Sequence, residues 1–520
     1  MPEKQYRDWN PDQPFLLPPS LQEWLPEDHP VYLMLDILEE LDVSAINRKY
    51  QEKDAQGTRP YAPNPYAPKM MVGLLLYGYS VGIRSSRKLE KATYEDVPFR
   101  VLAAGNHPDH TRISEFRRKH SEELEDLFLQ VFQICQRAGL VELGNVALDG
   151  TKVQASASKH KAMSYERMLE EEERLKEEIQ EMLEEAEATD REEDERFGRE
   201  NRGDERGSDS FLEELERKEE RLRTIQQAKA DLEKEAKQGR AEEIQAEADR
   251  AEKRSKIHES KKERARSEPL AVKWDEEAAR LRQEALGQAG EDVGEAETPE
   301  GMPKHRPKTE TDGTPKPKAQ RNFIDPGSRI MEKGSEFLQG YNCQLLVDEA
   351  HQIIVAQGPA NQSPDNGNFG PMVEKGTDNA GTSPEAVLAD SGYWNEDAPE
   401  QADKLGTEAY IATGRQPHGK KTPTRSGDPP EKATAQEQMS HKLKTREGLD
   451  RYARRKAIVE PVNGQIKEIG GFRRFGLRGY EGLRGYEKVR REWALVCTGH
   501  NLKKLIGAMQ AGQCGGGALG

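Results

Sequence analysis

Three acidic residues of this chain are placed so that their carboxylates could meet at one site. Residues 145–153 predict a short buried strand with Asp149 at its end, and residues 386–390 predict a second apolar strand that ends in Asp390. Glu460 lies in a basic segment farther along the chain. Because the carboxyl ends of neighbouring strands meet at one edge of a sheet, the acids can converge there. Taken singly, each aspartate also fits a turn-forming residue that ends a strand.

Three converging carboxylates predict a site for divalent cations. The carboxylates repel one another and are costly to remove from water unless a cation neutralises them. Their oxygens are hard ligands, which favours Mg²⁺ or Mn²⁺ over zinc. Two such ions, about 3.5–4 Å apart, would activate a water or a 3′-hydroxyl and stabilise the leaving oxygen at a phosphodiester. Glu468 is a rival for the third acid.

The basic segment around Glu460, residues 452–468, predicts an amphipathic helix. At helical spacing its polar side consists of Lys456, Glu460, Asn463 and Lys467, and its apolar side of Ile458, Val462, Ile466 and Ile469. Pro461 predicts that Glu460 lies at a helix start or a kink, because a residue before proline avoids the α region. An ordinary amphipathic surface helix would show the same pattern.

Charge is strongly segregated along the chain. The net charge is −16 over 520 residues, but residues 161–300 alone carry about −17 and the other 380 residues about +1. Residues 441–510 hold 17 Lys and Arg against 7 Asp and Glu. The overall acidity therefore belongs to one segment, and the C-terminal part is basic enough to bind phosphate.

Changes in composition and periodicity predict seven segments. These are an irregular lead-in at 1–30, a helical N-terminal domain that could bind DNA at 31–141, the first strand of the core at 142–159, a charged helical hairpin or coiled coil at 160–290, a disordered linker at 291–320, the rest of the core at 321–510 and a flexible tail at 511–520. In the core, residues 340–358 predict a hairpin and residues 408–412 another strand. Arg117 and Arg118 near a helix start fit a helix-turn-helix variant or a solvated basic face.

The cysteines and the hydropathy of the sequence indicate in which cellular compartment the protein is expected. The four cysteines, Cys135, Cys343, Cys497 and Cys514, form no CxxC pair, which argues against a zinc ribbon or a disulfide framework and favours a reducing compartment. No stretch of about 18 apolar residues and no apolar leader is present. We expect a soluble cytoplasmic protein that associates with the nucleoid and not with a membrane.

Four blocks of the sequence, in this order, resemble the successive blocks of bacterial insertion-sequence DDE transposases. They are LDGTKV, GYNCQLLVDEAHQIIVAQG, LADSGYWNED and RRKAIVEPVNGQIKEIGGFRRFGLRG. The last block is similar to the subgroup with a Tyr-Arg-Glu-Lys signature, and DILEELDV…SEFRRKH resembles the helical domain that often precedes this core. The resemblance implies an α/β fold, with a ribonuclease-H-like mixed sheet flanked by helices, an all-α N-terminal domain and a long charged helical insert.

The resemblance also implies roles for individual residues. Asp149, Asp390 and Glu460 match the catalytic triad that binds Mg²⁺ or Mn²⁺, two ions in all. Lys467 matches a lysine that contacts the DNA backbone. Tyr452 and Arg455 match the signature tyrosine and arginine, although four residues separate Arg455 from Glu460 where the pattern has three. The other residues expected to contact DNA are Lys456, Arg473, Arg474, Arg478, Arg117 and Arg118.

The function implied is a DNA transposase that cleaves at the ends of its insertion sequence and transfers the strand into target DNA. Its partners would be double-stranded DNA and, in the DNA complex, a second copy of the chain. Two other classes fit the sequence: a non-enzymatic coiled-coil DNA-binding or scaffold protein, and a ribonuclease-H-like nuclease that does not join strands. An inactive copy of an element is disfavoured because all three acids are present.

Overall fold

The computed structural model describes most of the chain. The described residues are 21–54, 66–197, 208–257, 261–287, 302–303, 305–334, 336–414, 424–427, 429–430, 433–476 and 485–514. The predictions for the lead-in up to residue 20, for residues 291–301 of the linker and for residues 515–520 of the tail lie outside these residues, as does Arg478. None of the described helices is long and apolar enough to cross a membrane.

The N-terminal part of the described chain is helical. Its helices are α1 (Pro30–Glu40), α2 (Ser44–Asp54), α3 (Pro68–Ser80), α4 (Ser86–Glu95), α5 (Val97–Leu102), α6 (His110–Lys119) and α7 (Ser121–Arg137). Local signals set their starts: proline opens α1 and α3, and the Asp109 carboxylate caps α6 by accepting hydrogen bonds from the backbone of Thr111 and Arg112 at 2.9 and 3.0 Å.

A long helical insert follows the first strand, β1 (Asn145–Gln154). It consists of β2 (Ala162–Ser164), α8 (Tyr165–Phe197), α9 (Ser208–Ile257), α10 (Lys261–Gly287) and β3 (Gln320–Asn322), with β2 and β3 paired antiparallel. Three helices thus stand where the sequence predicts a two-helix hairpin or coiled coil. Sparse apolar positions join them: Met168 and Ile225 pack between α8 and α9, and Ile244 and Leu281 between α9 and α10.

Residues 305–320 correct the prediction of a disordered linker. Their backbone forms a turn in which Glu310 N donates to Thr314 O at 2.9 Å, and Arg306 pairs with Glu242 of α9 at 2.8 Å. Directly after them, Arg321 pairs with Asp231 of α9 at 2.9 Å. The polar composition suggested disorder because it lacks apolar residues, but ion pairs with the acidic insert hold this segment in place.

The remaining elements form a mixed sheet and its covering helices. They are β4 (Arg329–Lys333), β5 (Glu336–Asp348), β6 (Ile354–Ala360), α11 (Phe369–Ala380), β7 (Ala386–Ala389), α12 (Ala398–Lys404), β8 (Glu408–Ile411), α13 (Ala435–Lys442), α14 (Arg446–Gly464) and α15 (Tyr486–Gln510). The strand order is β4-β5-β1-β7-β8, and β6 also pairs with β5. The predicted β5–β6 hairpin and the strands β7 and β8 are confirmed, as is the α/β class with a mixed sheet and a helical N-terminal region.

Helix packing joins the N-terminal helices to the sheet. Helix α15 packs against α3 and α7 on one side and against β6 on the other. Its Trp493 is fully buried, and the buried side chains of the N-terminal helices and of the sheet belong to one hydrophobic core. The strands of the sheet are therefore held on a large, continuous apolar base, which favours rigid placement of the side chains that they carry.

Candidate active site

The parallel pair β1·β7 brings the two predicted aspartates to the same level of the sheet. Leu148 pairs with Ala389, the last residue of β7, so that Asp149 and Asp390 follow at equivalent positions of adjacent strands. The prediction that Asp149 ends its strand is wrong, because β1 continues to Gln154 by pairing with β5. Asp149 instead lies where β7 stops, which leaves its side chain beside the open end of the neighbouring strand.

The side chain of Asp390 is held by its own backbone turn. Its Oδ1 accepts a hydrogen bond from Gly392 N at 2.8 Å, as the cap of the short 3₁₀ turn Ser391–Tyr393. This leaves Oδ2 available to a ligand. The cap fixes the direction of the carboxylate, a property that a metal ligand or catalytic acid requires.

Asp149 lies in an environment that disfavours its charge. Burial raises the pKa of Asp149 to about 7; the guanidinium of Arg455 opposes this, whereas the nearby carboxylates of Asp390 and Asp365 raise the pKa further. A carboxylate that is costly to ionise alone gains from a cation placed beside it. The electrostatics therefore agree with a cation site next to Asp149.

The raised pKa predicts how stability depends on pH in the absence of divalent metal. Because the pKa of Asp149 is higher in the folded than in the unfolded chain, its contribution to stability is complete below about pH 4 and is lost as the pH rises to about 7. Asp149→Asn should remove this contribution. Urea unfolding in EDTA should show the variant gaining stability over the wild type between about pH 4 and 7 and a constant difference above that. A difference that does not change with pH would contradict this environment.

The residue of helix α14 that forms a hydrogen bond with Asp149 is Asn463 and not an acidic residue. Asn463 Nδ2 donates to Asp149 Oδ2 at 2.9 Å, while Asn463 Oδ1 is buried and finds no hydrogen-bond donor among the described residues. Glu460 lies about one turn earlier on the same helix and is exposed. In the part of the chain that the structure describes, no three His, Cys, Asp or Glu side chains stand close enough to hold one metal ion together.

The residues at this site nevertheless fit a divalent cation. Asp149 and Asp390 offer hard carboxylate oxygens, and the unpaired Asn463 Oδ1 offers a hard carbonyl oxygen beside them. Ligands of this type suit Mg²⁺ or Mn²⁺. A buried oxygen without a partner is costly, and a bound cation would satisfy it.

The course of α14 corrects the prediction for Glu460 and Pro461. Glu460 lies inside the helix near its end, and the helix continues through Pro461 to Gly464 and then into a π-helical turn, Gln465–Ile469. A proline inside a helix leaves the carbonyl four residues earlier without its donor. Here Gln352 Nε2 fills that place by donating to Ala457 O at 3.1 Å. Of the predicted apolar side, Ile458, Val462 and Ile466 are buried, but Ile469 is 69% exposed.

A buried polar network behind the two aspartates is absent from the sequence-based prediction. Asp365 Oδ1 accepts hydrogen bonds from Asn342 Nδ2 at 2.8 Å and Gln344 Nε2 at 3.0 Å, and the buried Tyr393 hydroxyl donates to Gln344 Oε1. Tyr393 belongs to the turn that Asp390 caps. The network thus ties the loop of one aspartate to strand β5, which pairs with the strand of the other. Asn342 and Gln344 alternate in an otherwise apolar run, the one sequence signal that could have revealed it.

Gly150 gives a direct test of how tightly this network packs against β1. A Cβ at this position would lie 2.7 Å from Gln344 Nε2 and 2.9 Å from Asn342 Oδ1, and it would collide with Asp365 Oδ1. Since hydrogen bonds hold these atoms in place, Gly150→Ala should destabilise the protein by about 1–3 kcal/mol. Urea unfolding measures this loss. The control is Gly144→Ala, where nothing lies within 4 Å; equal effects of the two changes would contradict the packing.

The predicted DNA-contacting residues near α14 have different environments. Lys467 Nζ donates to Lys152 O at 3.1 Å, so this lysine lies against β1 as Asn463 does. Arg455 is buried, with its guanidinium 6.0 Å from the centre of the Tyr452 ring. Lys456, Arg473 and Arg474 are exposed, although Arg473 pairs with Glu468.

The N-terminal candidates also differ from each other. Arg117 donates to Arg84 O at 2.8 Å and to Ser86 Oγ at 3.2 Å, so it joins α6 to the start of α4. Arg118 is exposed on the same helix. Arg117 therefore has a structural role in joining two helices.

Comparison with known families agrees with the order of these elements. Residues 19–119 match the model of a Transposase domain (DUF772), and residues 416–506 match the model of a Transposase DDE domain. The second match includes Glu460 and Lys467 and ends within α15. No curated protein and no solved structure matches the chain. Models of transposase domains thus match both ends of a chain whose sheet places two aspartates side by side, and these matches support an insertion-sequence DDE transposase.

Proposed function

We propose that this DNA transposase cleaves at the ends of its insertion sequence and joins the freed 3′ ends to target DNA. The observation that carries the proposal is the placement of Asp149 and Asp390 at equivalent positions of the parallel pair β1·β7, beside α14. This arrangement provides two acids on rigid strands and further oxygen ligands on a helix that packs against them.

We assign Asp149, Asp390 and Glu460 as the catalytic acids that hold two Mg²⁺ or Mn²⁺ ions. When bound, such ions would stabilise the negative charge on the attacking and leaving oxygens at a phosphodiester. Asp149 contributes a carboxylate whose charge is costly without a cation, and Asp390 contributes one whose direction is fixed by Gly392. Asn463 orients Asp149 through its amide hydrogen bond.

The basic residues around α14 would hold the DNA next to these acids. Contacts of Lys and Arg with phosphates position the duplex without reading its sequence and make binding strongly dependent on salt. The residues assigned to this role are Tyr452, Arg455, Lys456, Lys467, Arg473, Arg474 and Arg478, with Arg117 and Arg118 in the N-terminal helices. Two DNA ends must be joined, so the active form is proposed to be a homodimer.

A strand-transfer assay tests this function. The substrate is a duplex that ends at an inverted repeat found beside the gene, with its 3′-hydroxyl exposed, and the target is a supercoiled plasmid. With Mg²⁺ the full-length protein should produce joined molecules, and in EDTA none. Cleavage of an uncut end without any joined product would indicate a nuclease instead, and binding without cleavage a scaffold protein.

A further inference from the structure

A group of cations surrounds the last residues of β1. Lys467 Nζ donates to Lys152 O at 3.1 Å, and Lys152 Nζ donates to Glu332 O of β4 at 2.6 Å. Arg473 O accepts a hydrogen bond from the backbone N–H of Gln154, the last residue of β1, at 3.2 Å. Two lysine side chains therefore meet at this end of the sheet, and the backbone of Arg473 lies beside them.

Lys333 at the end of β4 belongs to the same group. Burial lowers the pKa of Lys467, and the neighbouring charges of Lys333 and Arg473 lower it further. Arg473 pairs with Glu468, whereas no salt bridge among the described residues involves Lys152, Lys333 or Lys467, and these like charges repel one another. Such a group is stabilised by a polyanion that passes over all of its members.

The hairpin that carries Lys333 projects beyond the sheet as a two-stranded ribbon. Strand β5 pairs with β4 over residues 336–340, whereas its pairing with β1 begins at Gly340 and its pairing with β6 at Asn342. Residues 329–333 and 336–339 thus form a ribbon that no third described strand joins. Its base is buried at Arg329, Met331 and Gln339, and its outer residues 332, 333, 336 and 337 are exposed. Its turn begins at Gly334, whose φ of 65° suits glycine.

One face of this ribbon exposes apolar side chains. Phe337 is 62% exposed and Ile330 is 37% exposed. Phe337 pairs with Glu332, and Ile330 lies two residues from Glu332, so both apolar side chains point to the same face. Lys333 follows Glu332 and points to the opposite face, which it shares with Glu336, its partner across the strands. The ribbon therefore has a cation on one face and an exposed aromatic ring on the other.

We propose that this ribbon, residues 329–333 and 336–339, is a DNA-binding arm that enters a groove of the duplex. The major groove of B-DNA admits a two-stranded β-ribbon, and within it one face of the ribbon meets each wall. Lys333, together with Lys152 and Lys467, then contacts the phosphates of one strand. Phe337 packs on the sugars and base edges of the other wall, as apolar side chains pack on thymine methyl groups. The proposal rests on the proposed function in that the partner is double-stranded DNA.

Binding measurements with two arm variants test the proposal. The full-length protein is titrated, in EDTA and at several KCl concentrations, into a labelled duplex that carries the inverted repeat beside the gene. Lys333→Gln should reduce the slope of log Kd against log salt by about one, since one phosphate contact is lost. Phe337→Ala should weaken binding about fivefold or more and leave that slope unchanged.

The matched control is Lys404→Gln on α12, an exposed lysine outside the arm that pairs with Glu400. It should bind with the wild-type slope, and thermal unfolding should show that all three variants fold. If Lys333→Gln and Phe337→Ala both bind DNA as the wild type does, the DNA-binding role of the ribbon is refuted, whether or not the protein cleaves and joins DNA. If the arm variants change binding as expected but the wild type neither cleaves nor joins in Mg²⁺, the proposed function fails and the arm stands.

Discussion

Asp149→Asn is expected to reduce metal-dependent cleavage and strand transfer by about a thousandfold or more. A divalent cation at a phosphodiester supplies several kcal/mol of transition-state stabilisation, and about 1.4 kcal/mol corresponds to a factor of ten in rate. Asp149 lies between Asp390 and Asn463, so the loss of its charge removes the central ligand of the proposed site. Joined product on an end substrate with a free 3′-hydroxyl, measured over time in Mg²⁺, gives the rate.

Asp149→Asn should remain folded, so that its loss of activity can be attributed to the loss of a catalytic group and not to unfolding. Burial disfavours the charge of Asp149, so the uncharged asparagine is expected to be at least as stable as the wild type at neutral pH in EDTA. Asp403→Asn on α12 removes an exposed carboxylate that belongs neither to β1 nor to the turn of Asp390, and it should leave the rate unchanged. A folded Asp149→Asn protein that still joins ends at a tenth of the wild-type rate would refute the assignment.

Local patterns in the sequence were sufficient to predict several elements of the sheet. The β5–β6 hairpin and the strands β7 and β8 are short apolar runs bounded by polar turns, and such runs depend little on distant residues. The N-terminal helices likewise show helical periodicity and local caps. The α/β class was implied by the resemblance to DDE transposases, and these elements agree with it.

Other features depend on residues far apart in sequence and could not be predicted from local patterns. Gly150, Thr151 and Lys152 interrupt the apolar run of β1, but pairing with β5 extends the strand through them. Pro461 predicts a helix start or a kink at Glu460 by its effect on the preceding residue, and the helix start is wrong, because the side chain of Gln352, more than a hundred positions earlier, supplies the missing hydrogen bond and the helix continues. Both errors arise from tertiary hydrogen bonds that replace local preferences.

The residues of the site also divide into those that local sequence patterns reveal and those that depend on distant residues. Asp149 and Asp390 could be predicted as site residues because each is an acid that follows an apolar run. Asp365 follows a proline in a loop without periodicity, and its role depends on two amides of β5. Helical spacing predicts that Asn463 lies on the polar side of α14, but its contact with Asp149 depends on how the helix packs on β1. Side chains that act through a contact between distant elements carry no local signal.

Glu460→Gln is expected to abolish strand transfer to a similar extent, about a thousandfold, with little effect on folding. The side chain is exposed, and exposed substitutions usually change stability by about 0.5 kcal/mol or less. Its expected loss of activity therefore reflects the loss of a charge at the site and not a loss of structure. Glu460 lies about one helical turn from Asn463, which contacts Asp149, so a carboxylate here faces the same region of the sheet edge.

Glu468→Gln is the matched control, because Glu468 is the other acid of the segment and is also exposed. It pairs with Arg473 rather than with a residue of the site, so its loss should weaken DNA binding at most slightly and leave the rate at saturating DNA unchanged. Rates of joining for both variants at saturating DNA, with unfolding in urea as the test of structure, decide between the two acids. If Glu468→Gln loses activity and Glu460→Gln keeps it, the third acid lies on the π-helical turn. The present assignment requires the opposite result, because the turn of α14 that contacts Asp149 is the one that follows Glu460.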